Sequence, residues 1–376
     1  MRSGLVLSAL VALTVTACGD SDTSWTPDPL PVVTDENVVA VGPITGFGSV
    51  IVNGMTFDTA NATVTMDDEP GIESGLRLGM IVSVSGTIDA ATGEARASEI
   101  SFIDDVEGPV LSMDRAASSF VVLGRTVFVD ELTVFEDATF DDIEVGHVVE
   151  VSGLWRHEQQ IQATFVRRVA FQFVAGMTMQ VKGEITDLDI GQQQFRIGTQ
   201  WCNYSAAMME LGGADLANGM YVQVTSTAMF QNDQMMADAV QARERNRDRN
   251  RLCDGECLYE LTGYVTAFES TDDFEVDGQA VMATQDTVYV NGTADTLALD
   301  VKVSIDGTIN DAGVLVADRN VFHLPSLVEI KGNVNGLDPE TETVSVFGIA
   351  VQTNEFTLFR DHTTSGQPTF SFGDLN

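Results

Sequence analysis

The chain has 376 residues, of which 44% are hydrophobic, and a formal net charge of −37. Its apolar content is high enough to bury a core, and its length allows two to five domains. The charge disfavours nucleic-acid binding, which needs clustered Lys and Arg, and electrostatic docking on an anionic lipid surface. We expect an acidic, solvated surface that keeps the protein soluble, with divalent-cation binding as the alternative.

The chain begins with the pattern of an export signal, MRSGLVLSALVALTVTACGD. A positive charge at Arg2 precedes an apolar run over residues 5–15, which is too short for a spanning helix. The end of this segment, VTAC, resembles the lipobox of bacterial lipoproteins. The resemblance implies that residues 1–17 are removed and that Cys18 is lipidated, and Gly19 implies sorting to the outer membrane. An ordinary signal peptide with a chance cysteine is the alternative.

Residues 18–38 are rich in Pro, Asp, Ser and Thr and show no periodicity. Such a composition predicts an extended tether without a packed core. We expect it to hold the folded part of the protein away from the membrane.

Three phrases recur in fixed order in the rest of the chain. The first is a Gly with a short alternating run, at Gly42, Gly108, Gly183, Gly263 and Gly332. The second is a strand–Gly–strand phrase: IVNGMTF, VVLGRTV, FRIGTQW, EVDGQAV and SVFGIAV. The third is a turn followed by alternating Val: GMIVSVSG, GHVVEVSG, GMYVQVTS and DVKVSIDG. A fixed period with ordered landmarks predicts tandem structural units.

Apolar residues alternate with polar ones within each unit, which predicts half-buried strands and not helices. A unit of four or five short strands leaves no exposed sheet edge if it closes into a small barrel. The sequence therefore predicts an all-β fold made of tandem small OB-like β-barrels. The predicted units are residues 39–105, 106–176, 177–258 with an Arg-rich and Cys-containing insertion, 259–327, and an incomplete fifth unit at 328–376.

The phrases GPITGFGSVIVNGMTFDT and LRLGMIVSVSGTID resemble bacterial domain-of-unknown-function family 5666. The resemblance extends, at lower similarity, over most of residues 39–376. It implies a secreted or lipid-anchored envelope protein with several β-domains. It implies no catalytic residues.

The fifth unit contains the first two phrases but not the third. Two explanations stay open. Either the sequence is truncated, or the unit takes a strand from a partner, as donor-strand complexes do.

Three cysteines remain after Cys18 as disulfide candidates: Cys202, Cys253 and Cys257. Disulfides persist in an oxidising compartment, and the segment CDGEC lacks the further ligands of a zinc site. A bridge from Cys202 to one of the other two and a local bridge between Cys253 and Cys257 are the two possible pairings, and either leaves one cysteine free or modified. Three unpaired buried thiols are the further alternative.

Candidate binding residues are few. Arg245, Arg247 and Arg249 belong to an Arg-rich run that is either a docking patch for an anionic partner or a solvated excursion. Trp155 and Trp201 either line a ligand groove or pack in a core or between domains. The acidic clusters do not match a calcium-loop pattern, and we predict no metal site and no cofactor.

Motifs typical of hydrolases, zinc proteases and P-loop proteins are absent from the sequence. We therefore expect a non-catalytic, lipid-anchored protein of the outer membrane that acts as a structural or interaction scaffold. The alternative is a binding module for an envelope or extracellular polysaccharide or peptide. The sequence leaves open which face of the outer membrane the protein occupies.

Overall fold

The computed structural model describes residues 35–89, 92–102, 104–157, 160–243, 257–323, 334–339, 341–353, 357, 359 and 371–375. Its regular elements are β-strands and short 3-10 turns. Within these ranges no helix has the length and apolarity needed to cross a membrane. The predicted signal peptide, residues 1–17, and residues 18–34 of the predicted tether lie outside the described residues. The predicted tether extends too far, because its last residues, 36–38, are paired in the first strand and Val38 is 1% exposed.

The first unit forms a closed barrel, barrel 1. Its strands are β1 (Glu36–Gly46), β2 (Val50–Val52), β3 (Met55–Asp58), β4 (Thr63–Met66), β5 (Glu69–Pro70), β6 (Ile81–Ile88) and β7 (Ala95–Phe102). β1 pairs antiparallel with β2 and β6, β2 with β3, and β6 with β7. The parallel pair of β3 and β7 closes the circuit. Phe57 and Phe102 are buried inside it.

Three further barrels repeat this circuit. Barrel 2 contains β8 (Val106–Asp114), β9 (Ser119–Val122), β10 (Arg125–Phe128), β11 (Val134–Glu136), β12 (Val148–Trp155) and β13 (Ile161–Ala170). Barrel 3 contains β14 (Met179–Asp189), β15 (Gln194–Ile197), β16 (Gln200–Asn203), β17 (Met208–Glu210), β18 (Tyr221–Ser226), β19 (Gln234–Met236) and β20 (Ala239–Ala242). Barrel 4 contains β21 (Cys257–Ser270), β22 (Asp273–Val276), β23 (Gln279–Val290), β24 (Lys302–Ile309) and β25 (Leu315–Phe322).

If the short strands β4, β5, β11 and β17 are left out, every barrel has five strands in chain order. The first strand then pairs antiparallel with the second and fourth, and a parallel pair joins the third and fifth. The parallel pairs are β10 with β13, β16 with β19, and β23 with β25. In barrel 3, β19 and β20 together make the fifth strand, since β20 pairs with β18. A five-stranded Greek-key barrel of this connectivity is OB-like. The prediction of tandem OB-like barrels is confirmed for the described residues.

The fifth unit is a three-stranded antiparallel meander of β26 (Val334–Asp338), β27 (Thr343–Val346) and β28 (Ile349–Gln352). These strands correspond to the first three strands of a barrel. Phe347 and Gly348 both have positive φ in the turn between β27 and β28, as the corresponding residue pairs do in units 1, 2 and 4.

The Gly of the third phrase ends a turn that ties the fourth strand to the first. Gly79 has φ +85°, and its N–H donates to Ile44 O at 2.9 Å. Ile44 N–H donates in return to Met80 O at 2.9 Å. Glycine adopts this positive φ without the steric cost that a Cβ imposes. The same pair of bonds recurs in the other three barrels, with Gly146, Gly219 and Asp300 in the turn.

The Gly of the first phrase allows close approach of a neighbouring side chain. A Cβ at Gly42 would overlap the side chain of Asn53, whose Nδ2 donates to Val41 O at 3.0 Å. Asn53 and Gly54 have φ of +51° and +81°, which is the backbone geometry of a type I′ hairpin turn. The repeated phrases thus encode a tight hairpin that folds back onto the first strand.

The barrels join in pairs through continuous sheets. β1 of barrel 1 lies parallel to β21 of barrel 4, with Asn37 opposite Cys257 and Val41 opposite Leu261. β8 of barrel 2 lies antiparallel to β14 of barrel 3, with Val106 opposite Val181. The result is a 12-stranded sheet for barrels 1 and 4 and a 13-stranded sheet for barrels 2 and 3.

Candidate functional site

Trp155 lies where barrels 2 and 4 meet and is only 4% exposed. Its indole Nε1 donates to Asp105 Oδ1 at 2.9 Å, and its backbone N–H donates to Asp277 Oδ1 at 2.9 Å. Asp105 Oδ2 accepts a further bond from Gly153 N at 2.8 Å. Buried carboxylates are stable only when such donors satisfy them, so these bonds fix the junction in one geometry.

Arg125 connects barrel 2 to barrel 3 and is 1% exposed. Its Nη2 donates to Lys182 O at 2.6 Å, and its guanidinium carbon lies 5.1 Å from the centre of the Trp155 ring. A Cβ at Gly183 would overlap this guanidinium. In barrel 3, therefore, the space above the first-phrase glycine is filled by an arginine from the neighbouring barrel.

Carboxylates face one another at the seam between barrels 2 and 3. Glu107 lies directly opposite Glu150 on the neighbouring strand, and Glu150 Oε2 accepts from Arg167 Nη2. Burial, with Glu150 and Asp67 adding to it, raises the pKa of Glu107 to about 7. Burial also raises the pKa of Glu150, because desolvation disfavours the charged form.

Asp104 lies in the same seam and touches barrel 3. Its side chain accepts from Gln180 Nε2, and its backbone carbonyl accepts from Lys182 Nζ. Burial raises the pKa of Asp104 and lowers that of Lys182. Gln180 Oε1 accepts in turn from Gln223 Nε2 at 2.6 Å, so the buried polar contacts continue into the body of barrel 3.

Further polar contacts join the remaining barrels. Ile81 N of barrel 1 donates to Ser152 Oγ of barrel 2 at 2.9 Å. His157 N of barrel 2 donates to Asp300 Oδ1 of barrel 4 at 2.9 Å. Asp68 of barrel 1 pairs with Arg243, which follows β20 of barrel 3. Barrels 1 to 4 are thus interlocked and are not separate beads on a chain.

The two candidate tryptophans have different environments. Trp155 is buried at the junction, so the interpretation that it lines an exposed groove is wrong, and its core-packing alternative is correct. Trp201 lies half-buried on the outer face of β16, with the Arg196 guanidinium carbon 4.5 Å from its ring centre. The bonds of Trp155 to Asp105 and Asp277 could not be foreseen, since Asp277 is 122 positions away in sequence.

Cys202 is a free cysteine buried inside barrel 3. It lies between Phe195 and Met235 on the neighbouring strands, and burial raises the pKa of its thiol to about 12. The bridge from Cys202 to the CDGEC segment is therefore not formed, because the Cys202 side chain points into the core. Cys257 is disulfide-bonded. Its partner lies outside the described residues, as do Cys18, Cys253, Arg245, Arg247 and Arg249.

A serine and a histidine meet in barrel 4, where Ser304 Oγ is 2.8 Å from His323 Nε2. Ser304 is 2% exposed and also contacts Thr262 Oγ1. Burial, with the nearby charge of Lys302, lowers the pKa of His323 to about 4. A nucleophile needs access to substrate, so we interpret this pair as a structural one. The described residues contain no group of three or more His, Cys, Asp or Glu side chains arranged to hold a metal ion.

A cleft of about 330 Å³ opens between barrels 2 and 3. Its lining comes from the second-phrase hairpins of both barrels, the start of β13 and the first strand of barrel 3: Gly124, Arg125, Thr126, Gln160, Thr186, Gly198 and Thr199. The two hairpins touch, since Thr199 Oγ1 donates to Gly124 O at 3.3 Å. The repeat predicted both hairpins, but only the pairing of β8 with β14 brings them together.

Comparison with known families fits this architecture. The sequence profile described as "Domain of unknown function (DUF5666)" matches residues 40–101, 107–167 and 262–319. These three regions belong to the DUF5666 family. They fall in barrels 1, 2 and 4, and barrel 3 has the same strand pairing outside the matched regions. The resemblance seen in the sequence is confirmed.

Two other comparisons add little to the DUF5666 assignment. No protein with curated annotation matches the chain. A solved structure described as "drosophila Unr CSD456" is similar to it at 15% identity, over 56% of this chain and 98% of that one, with a TM-score of 0.17. A similarity at that TM-score carries no argument, and the OB-like description rests on the strand pairing.

Proposed function

We propose that this protein is a lipid-anchored, non-catalytic scaffold of the bacterial cell envelope. Cys18 would carry the lipid, the residues between Cys18 and the start of β1 at Glu36 would act as the tether, and the four interlocked barrels would form a rigid body that presents surfaces to envelope partners. The outer membrane is the proposed location, on the strength of the lipobox resemblance and Gly19.

The observation that supports a scaffold best is the buried junction around Trp155. Barrels that act independently need only flexible linkers between them. In this protein, buried side chains of one barrel make hydrogen bonds and packing contacts with residues of another barrel. Arg125 over Gly183 and Asp277 under Trp155 are two such contacts. Buried polar networks that are well satisfied favour one arrangement of domains over others. Rigid spacing of surfaces is what a scaffold requires.

The location is tested by fractionation of cells that express the full chain, with and without Cys18→Ser. We expect the unchanged protein in the outer-membrane fraction and the Cys18→Ser variant in the soluble periplasmic extract. Recovery of the unchanged protein in the soluble extract would contradict lipid anchoring. Protease treatment of intact cells, with a periplasmic protein as control, then determines which face of the membrane the barrels occupy.

The scaffold role is tested by chemical cross-linking in intact cells followed by identification of the attached proteins. We expect a defined set of partners that Asp277→Ala weakens, because this change loosens barrel 4 from barrel 2. The matched control is Asp272→Ala, an exposed aspartate one strand away in the same barrel. Equal loss of partners in both variants, or no partner in the unchanged protein, would argue against a scaffold.

A further inference from the structure

We propose that the cleft between barrels 2 and 3 is a binding site for an uncharged saccharide. This site goes beyond the scaffold role and does not depend on it. At about 330 Å³ the cleft lies at the lower end of the range, about 300–1,000 Å³, that is typical of small-ligand sites, and such sites are often found between domains.

The side chains of the cleft have the hydrogen-bonding properties that sugar hydroxyls need. Thr126 and Thr186 each offer a hydroxyl that both donates and accepts, and Gln160 offers an amide that does the same. The Thr199 hydroxyl, which donates to Gly124 O, offers an acceptor. Sugar hydroxyls are likewise donors and acceptors. Thr186 and Thr199 are exposed, so their hydroxyls are accessible to a ligand.

The charge distribution favours an uncharged ligand. The chain carries 56 acidic residues, yet none of the described residues that line the cleft is Asp or Glu. The one cationic residue among the described lining residues, Arg125, is 1% exposed and bonded to Lys182 O, so its side chain offers almost no surface to a ligand. The net charge of −37 would repel a polyanionic glycan as it approached.

The surface next to the cleft extends the site toward Trp201. On the outer face of barrel 3, Thr186 lies opposite Arg196, Arg196 opposite Trp201, and Trp201 opposite Gln234. These residues form a continuous row across four strands, from the cleft to an aromatic ring. The charge of Arg196 in this row is paired with Asp187 at 3.4 Å, and its guanidinium lies against one side of the Trp201 ring. The second and third strands of an OB-like barrel, here β15 and β16, form a face that binds oligosaccharides in other proteins of this fold.

A peptide suits this cleft less well. Extended peptides bind by adding a strand to an open sheet edge, and Pro-rich peptides bind in aromatic-lined grooves. The cleft is lined by hairpin turns and by closed barrels, and its lining residues are Gly, Thr, Gln and Arg. A saccharide is therefore the ligand class that we propose.

The test is calorimetric titration of the full-length protein with cellohexaose, maltohexaose, mannohexaose and chitohexaose, with oligogalacturonate as an acidic comparison. We expect binding of at least one of the four uncharged oligosaccharides. Thr186→Val should weaken that binding about three- to tenfold, because one hydroxyl is lost. Thr199→Phe should abolish it by filling the cleft.

The matched control is Thr45→Val. Thr45 occupies in barrel 1 the repeat position that Thr186 occupies in barrel 3, but it lies outside the cleft. We expect Thr45→Val to bind as the unchanged protein does, and thermal unfolding of each variant verifies that it folds. Binding of oligogalacturonate alone, failure of all four uncharged oligosaccharides, or equal affinity of Thr186→Val and Thr45→Val would overturn the proposal.

Discussion

The indole Nε1 of Trp155 and the carboxylate of Asp105 form a buried hydrogen bond of 2.9 Å at the point where barrel 2 meets barrel 4. Asp105 precedes the first strand of barrel 2, and Trp155 ends the fourth. The bond therefore links the segment that connects barrels 1 and 2 to the end of β12 in barrel 2. Because Trp155 N also bonds to Asp277, one residue holds three parts of the chain.

Replacement of Asp105 by Ala should lower the free energy of unfolding by about 2–4 kcal/mol. The change leaves two buried donors, Trp155 Nε1 and Gly153 N, without their acceptor, and each such loss costs about 1–3 kcal/mol. Denaturant unfolding followed by tryptophan fluorescence measures it. The control is Asp141→Ala in the same barrel, whose side chain is 98% exposed and which should cost less than about 1 kcal/mol. Equal costs for the two variants would contradict the account of the junction.

Glu107 should make the protein less stable as the pH rises from about 4.5 to 7. The ordinary pKa of a Glu carboxyl is 4.5, and burial raises the pKa of Glu107 in the folded protein to about 7, so the folded state binds more protons between these two values. The free energy of unfolding falls with rising pH wherever the folded state binds more protons than the unfolded state. Above the pKa of the folded protein, the free energy of unfolding no longer changes with the ionisation of Glu107. Glu150 and Asp67 face Glu107 and oppose its ionisation, whereas Arg167 favours it.

Glu107→Gln should remove the part of the pH dependence that Glu107 causes. The variant should therefore be more stable than the unchanged protein at pH 8, and the difference between the two proteins should be smaller at pH 5. The gain is at most about 3 kcal/mol, from the 1.36 kcal/mol that one pKa unit represents. Unfolding curves of both proteins from pH 5 to 8 measure the difference, with Glu69→Gln as a control for the loss of one exposed negative charge. A difference that does not change with pH would show that Glu107 keeps an ordinary pKa.

Two glycines of the third phrase should respond differently to Ala. Gly146 has φ +93° with no atom close to where a Cβ would lie, so Gly146→Ala adds backbone strain of about 1–2 kcal/mol and no clash. A Cβ at Gly79 would also overlap Thr164 O, so Gly79→Ala should cost more. Denaturant unfolding measures the loss of stability in each variant. A larger loss for Gly146→Ala than for Gly79→Ala would contradict the observed packing of barrel 1 on barrel 2.

Asn320 should be a site where the protein can be stabilised. It is fully buried in β25, and neither its Oδ1 nor its Nδ2 has a hydrogen-bond partner among the described residues. Ile100 and Val166 occupy the corresponding position in barrels 1 and 2, opposite Val84 and Val151. A buried amide without partners is costly, so Asn320→Leu should raise the free energy of unfolding by about 1–2 kcal/mol.

Thermal unfolding measures this gain, and the reciprocal change Ile100→Asn is the matched comparison. It should destabilise barrel 1 by about 2–4 kcal/mol, because it introduces an unpartnered amide into an apolar core. Destabilisation by Asn320→Leu would mean that the amide has a role in barrel 4 that its surroundings do not show.

The barrels could be predicted from the sequence because their signals are local and repeated. The alternation around Val82 and Val84 and the turn glycines recur in every complete unit, so each element supports the same fold. Alternation also places Cys202 inside barrel 3, since it faces away from Trp201 on the same strand. A disulfide at Cys202, one of the alternatives that an oxidising compartment suggests, disagrees with this local signal.

The junction and the cleft could not be predicted, because they depend on which barrels are neighbours. The pairing of β1 with β21 joins the first and fourth units, and that of β8 with β14 joins the second and third. Neither pairing has a local sequence signal. Nothing in the phrase VVLGRTV predicts that the Arg125 side chain packs against Gly183, which lies 58 positions later in the chain.

The central claim is that barrels 1 to 4 form one interlocked body. Differential scanning calorimetry of the full-length protein, with and without Asp277→Ala, tests it most directly. We predict that the four barrels unfold in one cooperative transition and that Asp277→Ala lowers the midpoint of this whole transition, because the change removes the acceptor of Trp155 N. Separate transitions, of which only the one for barrel 4 shifts in the variant, would contradict the claim and show four independent domains.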